Sequence, residues 1–153
     1  DIEQAQNRLS RLNDSSSGES VATLRAELQG IMQNHFGVFR KGDFMRDGIA
    51  KLSALRERIA NIHLEDKSLT FNTARIEALE LENLFEVAEA TAIAAEGRNE
   101  SRGAHARDDF RERDDENWLC HSMYFPSDKR VGKRDVNFSP KTVDTFEPQV
   151  RSY

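Results

Sequence analysis

Apolar residues recur at steps of three and four over the first two thirds of the chain, a spacing that predicts amphipathic helices. A short first helix is predicted from the apolar positions Ile2, Ala5, Leu9 and Leu12. The polar, serine-rich residues 13–19 predict a loop or linker. Ser20 can then cap a second helix that ends near Gly42. The apolar positions of the second helix are Val21, Leu24, Leu28, Ile31, Met32, Phe36 and Phe39.

Two longer helices follow. The third is predicted with Asp43 as its N-cap and with the apolar positions Met45, Ile49, Leu52, Leu55, Ile59 and Ile62. The fourth is predicted from about Asn72 to Glu96, with Gly97 ending it in a left-handed conformation. Its apolar positions are Ile76, Leu79, Leu81, Leu84, Val87 and Ala88. Gly30 lies inside the second helix at a cost of about 1 kcal/mol relative to alanine, so we expect packing to hold that turn.

The short connections between these helices favour antiparallel neighbours. The predicted fold is therefore mainly α, an antiparallel three-helix bundle of the spectrin-repeat type over residues 20–97, preceded by a short helix and linker over residues 1–19. Residues 98–153 are predicted to form a charged loop, a small β-hairpin and an extended C-terminal tail packed on the bundle. The hairpin strands are expected over 118–125 and 131–138, with a loop at Pro126. Trp118 is expected to anchor the hairpin on the bundle.

The charged loop is the most informative stretch of the sequence. Residues 98–117 hold five arginines and seven acidic residues, close to the aromatic residues Phe110 and Trp118. Disordered tails are poor in aromatics and tend to carry one sign of charge, so this composition indicates an ordered docking surface. We expect Gly103 to adopt a positive φ, and Arg102, His105 and Arg107 to pair with Asp108, Asp109 and Glu112. The candidate docking residues are Ser101, Arg102, Gly103, His105, Arg107, Asp109 and Trp118.

Several segments carry a family resemblance in one order along the chain. The C-terminal ones are Glu100-Ser-Arg-Gly-Ala-His-Ala-Arg-Asp-Asp-Phe110, Arg113-Asp-Asp-Glu-Asn-Trp118-Leu and Pro148-Gln-Val-Arg-Ser-Tyr153. Those upstream are Gly37-Val-Phe-Arg40, Arg56-Glu-Arg58, Phe71-Asn-Thr73 and Glu77-Ala-Leu-Glu-Leu-Glu-Asn-Leu84. From about Leu9 to Tyr153 the chain resembles the C-terminal end of the succinate dehydrogenase flavoprotein subunit. It departs from that family at Arg111, where the family usually has proline.

The resemblance implies an enzyme that moves hydride from succinate to FAD and passes electrons to an iron–sulfur subunit and quinone. In that family the flavin-binding fold and the catalytic groups lie in earlier domains. The resemblance therefore implies no catalytic, cofactor-binding or metal-binding residue in this chain, with FAD in the full-length subunit. It also implies two partners, the flavin-binding domain of the same subunit and the iron–sulfur subunit. In a bacterium the location implied is the cytoplasmic face of the inner membrane, reached through other subunits.

Composition argues against several kinds of function and binding site. A net charge of −5 argues against general nucleic-acid binding, and no apolar run approaches the roughly 18 residues that a membrane-spanning helix needs. Cys120 is the only cysteine, so an internal disulfide is excluded. The eight glycines include no Gly-x-Gly pair of the kind that dinucleotide binding requires. The acidic residues 114–116 are interpreted as capping or salt-bridging groups. The chain has no initiator methionine, and we expect it to be a fragment.

Three alternatives stay open at this point. His105 and Arg102 could lie near an anionic substrate or the flavin instead of holding the loop together. The flavoprotein of fumarate reductase shares the family architecture and catalyses the opposite direction. A free-standing helical interaction module without enzymatic activity would show the same helical pattern.

Overall fold

The protein consists of five helices and four short strands in a computed structural model that describes residues 2–146, 148 and 149. The helices are α1 (Ile2–Asp14), α2 (Val21–Phe36), α3 (Gly42–Ile59), α4 (Thr73–Gly97) and α5 (Asp115–Trp118). The strands are β1 (Phe39–Arg40), β2 (Ala106–Arg107), β3 (Cys120–Phe125) and β4 (Arg130–Asp135). Glu147 and residues 150–153, which include part of the predicted tail, lie outside the described residues.

Helices α2, α3 and α4 pack against one another pairwise and enclose the hydrophobic core. Each of the three helices contributes buried leucines to this core, for example Leu24 of α2, Leu52 of α3 and Leu81 of α4. Leu12 of α1 is buried in the same core. Burial of such a side chain contributes about 1.5–3 kcal/mol. The predicted fold class, mainly helical with a small C-terminal hairpin, is confirmed.

The connection between α2 and α3 differs from the prediction. Helix α2 begins after Ser20, whose Oγ accepts from the Thr23 amide as expected, but it ends at Phe36 and not near Gly42. The chain then forms strand β1, which pairs in parallel with β2, and Phe39 is 80% exposed instead of buried. The predicted N-cap Asp43 is wrong, because α3 begins at Gly42 and Asp43 lies in its first turn.

Helix α4 begins as predicted, with Asn72 Oδ1 accepting from the Arg75 amide at 2.7 Å. Its buried face is rotated from the predicted one. The residues that enter the core are Ala78, Leu81, Phe85, Ala88, Ala92 and Ala95, whereas Ile76, Leu84 and Val87 are exposed. The predicted left-handed Gly97 is also wrong: Gly97 is the last helical residue, it has no positive φ, and Arg98 follows in an extended conformation.

Two glycines within helices differ in the space available for a side chain. A Cβ on Gly48 of α3 would lie 2.6 Å from His35 Cβ and from a ring carbon of Phe36, so this glycine lets α3 approach α2 closely. A Cβ on Gly30 would meet no atom within 4 Å. Gly30 itself therefore faces open space, while Leu28 and Ile31 of the same turn are buried in the core.

Strands β3 and β4 form an antiparallel hairpin closed by residues 126–129 and aligned by the pair Cys120 and Asp135. Both strands are shorter than predicted. The hairpin contacts α4, where Tyr124 Oη and Lys129 Nζ each donate to the buried carboxylate of Glu89 at 3.0 Å. Arg56 of α3 donates to the same carboxylate, so Glu89 joins two helices and the hairpin.

No helix in the part of the chain that the structure describes is long and apolar enough to cross a membrane.

Candidate functional site

Arg107 and Asp109 connect the ends of two helices. Arg107 is 3% exposed, and its Nη1 donates to the carbonyl oxygens of Ala95 and Glu96 at the C-terminus of α4. Its guanidinium also donates two hydrogen bonds, at 2.7 and 2.9 Å, to the Asp109 carboxylate. Asp109 in turn accepts from the backbone N–H of Gly42 at 2.9 Å. A cation therefore lies at a helix C-terminus and an anion at a helix N-terminus, the stabilising arrangement for both helix dipoles.

This pair explains the two wrong cap predictions. Helix α3 needs no N-cap side chain of its own because Asp109, 67 residues further along, bonds its first amide. Helix α4 needs no left-handed glycine because Arg107 occupies its last carbonyls. The Arg107 guanidinium, together with the Gly42 amide, holds the pKa of Asp109 well below its usual range.

Glu100 is the centre of the loop and is fully buried. Its carboxylate accepts from Arg98 at 2.6 Å, from Arg102 at 2.8 Å and from the backbone amide of Asp114 at 2.9 Å. Burial alone raises the pKa of Glu100, but the bonds from Arg102, the Asp114 amide and Arg98 outweigh it, so the pKa lies below its ordinary value. The loop is thus built around a buried, ionised carboxylate.

His105 is held in one tautomer by its neighbours. Its Nδ1 lies 2.8 Å from Nη1 of Arg40, which can only donate, so Nδ1 is the acceptor. Its Nε2 lies 3.0 Å from the carbonyl oxygen of Arg98, so Nε2 carries the hydrogen. Burial first, then the positive charges of Arg40, Arg107 and Arg98, lower the pKa of His105. The ring is therefore a neutral structural contact.

Ser101 and Gly103 shape the loop backbone. Ser101 Oγ accepts from the Arg107 amide and donates to the Phe110 carbonyl, both at 2.8 Å. Arg102 and His105 exchange two backbone hydrogen bonds around the exposed tip, where Gly103 has a φ of +59° as predicted. Arg102 then reaches away from the tip to Glu100 and Asp115.

Trp118 lies at the end of α5 and is half-buried outside the hydrophobic core. Its ring lies between two cations, with Lys133 Nζ 3.7 Å and the Arg98 guanidinium carbon 5.4 Å from the ring centroid. Trp118 thus lies between Lys133 of β4 and Arg98, the residue after α4, without entering the core, and Glu89 with Tyr124 joins the hairpin to α4 directly.

The predicted charge pairing in the loop is right for one arginine of two. Arg107 pairs with Asp109, but Arg102 pairs with Glu100 and Asp115, and His105 bonds Arg40 and the Arg98 carbonyl instead. Sequence reasoning overlooked Glu100 as the central partner. The alternation Arg98-x-Glu100-x-Arg102 was the available signal, because residues two apart in extended chain share one side.

The acidic residues 114–116 act within the fold. Asp114 Oδ1 accepts from the Asn117 amide at 2.9 Å and caps α5, and Asp115 pairs with Arg102 and Arg113. No group of three or more candidate metal ligands occurs among residues 2–146, 148 and 149. Cys120 and His121 are consecutive on β3 and point to opposite faces. The charged loop therefore offers a shaped, charged surface.

The sequence of this chain matches a known protein family. The family described as "Fumarate reductase flavoprotein C-term" matches residues 25–153. The chain belongs to this family. The succinate dehydrogenase flavoprotein subunit of Coxiella burnetii is 49% identical over 151 residues, which cover 99% of this chain and 26% of that protein. The fumarate reductase flavoprotein subunit of Haemophilus influenzae is 34% identical, over 95% of this chain and 24% of that protein.

Solved structures of this flavoprotein family share the fold. An E. coli quinol fumarate reductase superposes with a TM-score of 0.83 at 34% identity, covering 95% of this chain and 26% of that one. A Mycobacterium smegmatis Sdh1 complex superposes with a TM-score of 0.72 at 33% identity, covering 88% and 23%. The chain thus spans about a quarter of the length of the curated relatives it matches. Those relatives are flavoprotein subunits of oxidoreductases.

Proposed function

We propose that the chain is the C-terminal helical part of a succinate dehydrogenase flavoprotein subunit. The full-length subunit would oxidise succinate to fumarate with FAD and pass electrons to an iron–sulfur subunit. The observation that carries the proposal is the family match over residues 25–153. The 49% identity to a succinate dehydrogenase subunit, against 34% to a fumarate reductase subunit, favours the dehydrogenase direction.

The role of these 153 residues in that enzyme is structural. Residues 1–19 lead into the bundle, residues 20–97 form it, and residues 98–153 form an extension that docks on the flavin-binding part. The charged loop supports this role because its ionised groups bond one another and the helix ends. FAD would bind to the earlier part of the subunit. The complex would lie peripherally at the membrane, on its cytoplasmic face in a bacterium, through other subunits.

The candidate docking residues divide into two groups in this proposal. Arg107 and Asp109 shape the surface from within, as does Ser101, because their polar atoms are occupied inside the chain. The tip of the loop, at Gly103 and Ala104, is exposed and would meet the flavin-binding part. Arg102, His105 and Trp118 would hold the tip in position.

The proposed activity is tested on the full-length subunit, purified with its iron–sulfur partner. We expect bound flavin and a succinate-dependent reduction of an electron acceptor that exceeds the reverse reduction of fumarate. The 153-residue chain, used as the control, should carry no flavin and no activity. Faster fumarate reduction would place the enzyme with the reductases. A natural chain that begins near residue 1 and lacks flavin would overturn the proposal in favour of a free-standing module.

The docking role is tested by introducing a negative charge at the loop tip. Ala104→Glu in the full-length subunit should speed cleavage of the loop by a protease about tenfold, which corresponds to about 1.4 kcal/mol of weakened docking. The matched control is Ala22→Glu, at an exposed position of α2. Equal rates of loop cleavage in the two variants would contradict docking through the tip.

A further inference from the structure

Arg40 differs from the other buried and partly buried arginines around the loop, Arg98, Arg102 and Arg107. Arg98 and Arg102 pair with Glu100, and Arg107 pairs with Asp109. Arg40 has no carboxylate within 4 Å among residues 2–146, 148 and 149, although its guanidinium is partly buried. Burial first, and then the charge of Arg107, lower the pKa of Arg40. A guanidinium in such surroundings is stabilised when an anion reaches it.

The hydrogen bonds of Arg40 leave a defined part of the group available. Its Nε donates to the carbonyl of Gly37 at 3.1 Å, its Nη2 to the carbonyl of Phe36 at 3.3 Å, and its Nη1 to His105 at 2.8 Å. A guanidinium has five N–H groups, so one remains on Nη1 and one on Nη2. A carboxylate can accept hydrogen bonds from both terminal nitrogens of a guanidinium.

The three internal bonds also fix the direction of this fork. His105 can accept from Arg40 only while its Nδ1 is unprotonated, and its Nε2–H is tied to the Arg98 carbonyl. The guanidinium is thereby oriented before any partner arrives, which reduces the entropy that binding loses. Asp109 is not free to move to it, because its carboxylate is held by Arg107 and by the Gly42 amide.

The residues beside Arg40 are apolar and exposed. Val38 and Phe39 precede it in the chain and are 70% and 80% exposed, and Phe44 in the first turn of α3 is 60% exposed. Large exposed apolar side chains close together in sequence mark a surface that another protein surface covers. A hydrophobic margin around a charge-assisted hydrogen bond excludes water and strengthens that bond.

We propose that Arg40 binds, through its two free N–H groups, an aspartate or glutamate side chain from the remainder of the flavoprotein subunit. The inference rests on the proposed function, because the relatives are about four times as long as this chain and their additional length supplies the partner. Val38, which is two residues before Arg40 and so on the same side of the extended chain, is exposed, and the surface formed by Val38 and Arg40 is thus a second docking surface beside the loop tip. Its partner combines one carboxylate with apolar neighbours.

The test is a zero-length cross-link in the full-length subunit. Arg40→Lys places a primary amine near the partner carboxylate, and a carbodiimide couples an amine to a carboxylate that is in salt-bridge contact. Mass spectrometry of the digested protein then identifies the linked residue. The matched control is Arg46→Lys, because Arg46 pairs inside the chain with Asp43 and Glu96. We expect the first variant to link to an acidic residue outside the 153 residues, and the control to link to Asp43 or Glu96.

Three results would overturn the inference. The first is a link from position 40 to an acidic residue of this chain, such as Asp108 or Glu147. The others are a link to a different subunit, and no link while the control reacts. Arg40→Gln gives a second measurement that needs no new amine. It should speed chymotrypsin cleavage at Phe39, next to Arg40, about tenfold relative to Arg46→Gln, and an unchanged rate would also count against the proposal. The flavin content and succinate activity of the unsubstituted subunit test the proposed function separately.

Discussion

Arginine side chains in this protein bond backbone carbonyls as well as carboxylates. Arg107 reaches two carbonyls at the end of α4, Arg98 reaches those of Trp118 and Cys120, and Arg40 reaches those of Phe36 and Gly37. The planar guanidinium presents several donors in fixed directions, which an ammonium group does not. These arginines therefore replace helix caps and turn hydrogen bonds that the local sequence does not supply.

His105 should titrate below the ordinary histidine range. Because its folded pKa is lowered, the unfolded chain binds the proton more readily, and stability falls as pH drops below about 6.5. Nitrogen NMR of the imidazole should show the Nε2–H tautomer at pH 7 and a pKa below 6.5. His105→Gln should flatten the fall in unfolding free energy between pH 7 and 5. A normal pKa with a mixture of tautomers would contradict the proposed contacts.

At the scale of the secondary-structure elements, the approach of α2 to α3 depends on one glycine. Gly48→Ala places a methyl group 2.6 Å from Phe36 and His35, so we expect it to lower the free energy of unfolding by about 1–3 kcal/mol. Gly30→Ala is the matched control at an open helical position and should raise stability by about 1 kcal/mol. Urea unfolding of the two variants measures both effects. Equal shifts of the same sign would contradict the close crossing at Gly48.

The hairpin should depend on the Glu89 carboxylate for its attachment. Tyr124→Phe removes one of the three donors to Glu89, and we expect a loss of about 0.5–1.5 kcal/mol. Hydrogen exchange should then speed up in β3 and β4 more than in α2. Arg130→Gln, in the same hairpin but outside this contact, is the control. The same carboxylate adds to burial in raising the pKa of Tyr124 to about 12, which a phenol titration by ultraviolet absorbance can check.

The sequence predicts the approximate positions of the helices better than the residues at which they begin and end. Helix periodicity located α2, α3 and α4, and the cap at Ser20 was recognisable because cap and amide are three residues apart. The start of α3 was not, because its cap is Asp109, which only the tertiary fold brings to Gly42. The buried face of α4 was misassigned for a related reason.

That reason is the distribution of apolar residues around α4. Leu84 and Val87 lie on one side, and Leu81 and Phe85 on another, so periodicity alone does not identify the core face. Within the charged loop, composition identified an ordered surface and the turn at Gly103. It did not identify Glu100 as the central residue, because burial of one acidic residue among seven follows from packing and not from local sequence.

At the scale of the whole molecule, α4 carries apolar residues on two sides and α2 and α3 cover only one. Val87, Ala90, Thr91 and Ala94 line an open groove of about 430 Å³ between α4 and the hairpin, with Tyr124 on its far side. A helix with apolar residues around most of its circumference is typical of a buried position. This exposed side fits a chain that spans a quarter of its relatives' length.

Acid should destabilise the molecule through its bonded carboxylates. The pKa values of Glu89, Glu100 and Asp109 lie below their ordinary values. The stability that these three carboxylates contribute is therefore fully present above about pH 4.5, and it is lost as the pH falls through their lowered pKa values in the folded protein. Urea midpoints measured from pH 7 to pH 3 should fall most steeply below pH 4.5. Glu100→Gln should lower stability at pH 7 by about 3–5 kcal/mol and make the acid limb shallower. An unchanged acid limb would show that Glu100 is not ionised in the fold.

The long-range caps also determine when the bundle can be completed during synthesis. The last residue of α4 is Gly97, but the groups that bond the end of α4 and the start of α3 are Arg107 and Asp109. A nascent chain that has emerged only as far as residue 97 contains all three helices with both of these ends uncapped. Because domains fold as units while the chain is made, the bundle reaches its full stability only after the loop has left the ribosome. A pause in translation after α4 has emerged, but while Arg107 and Asp109 are still inside the ribosome, would therefore prolong the lifetime of an incompletely stabilised bundle.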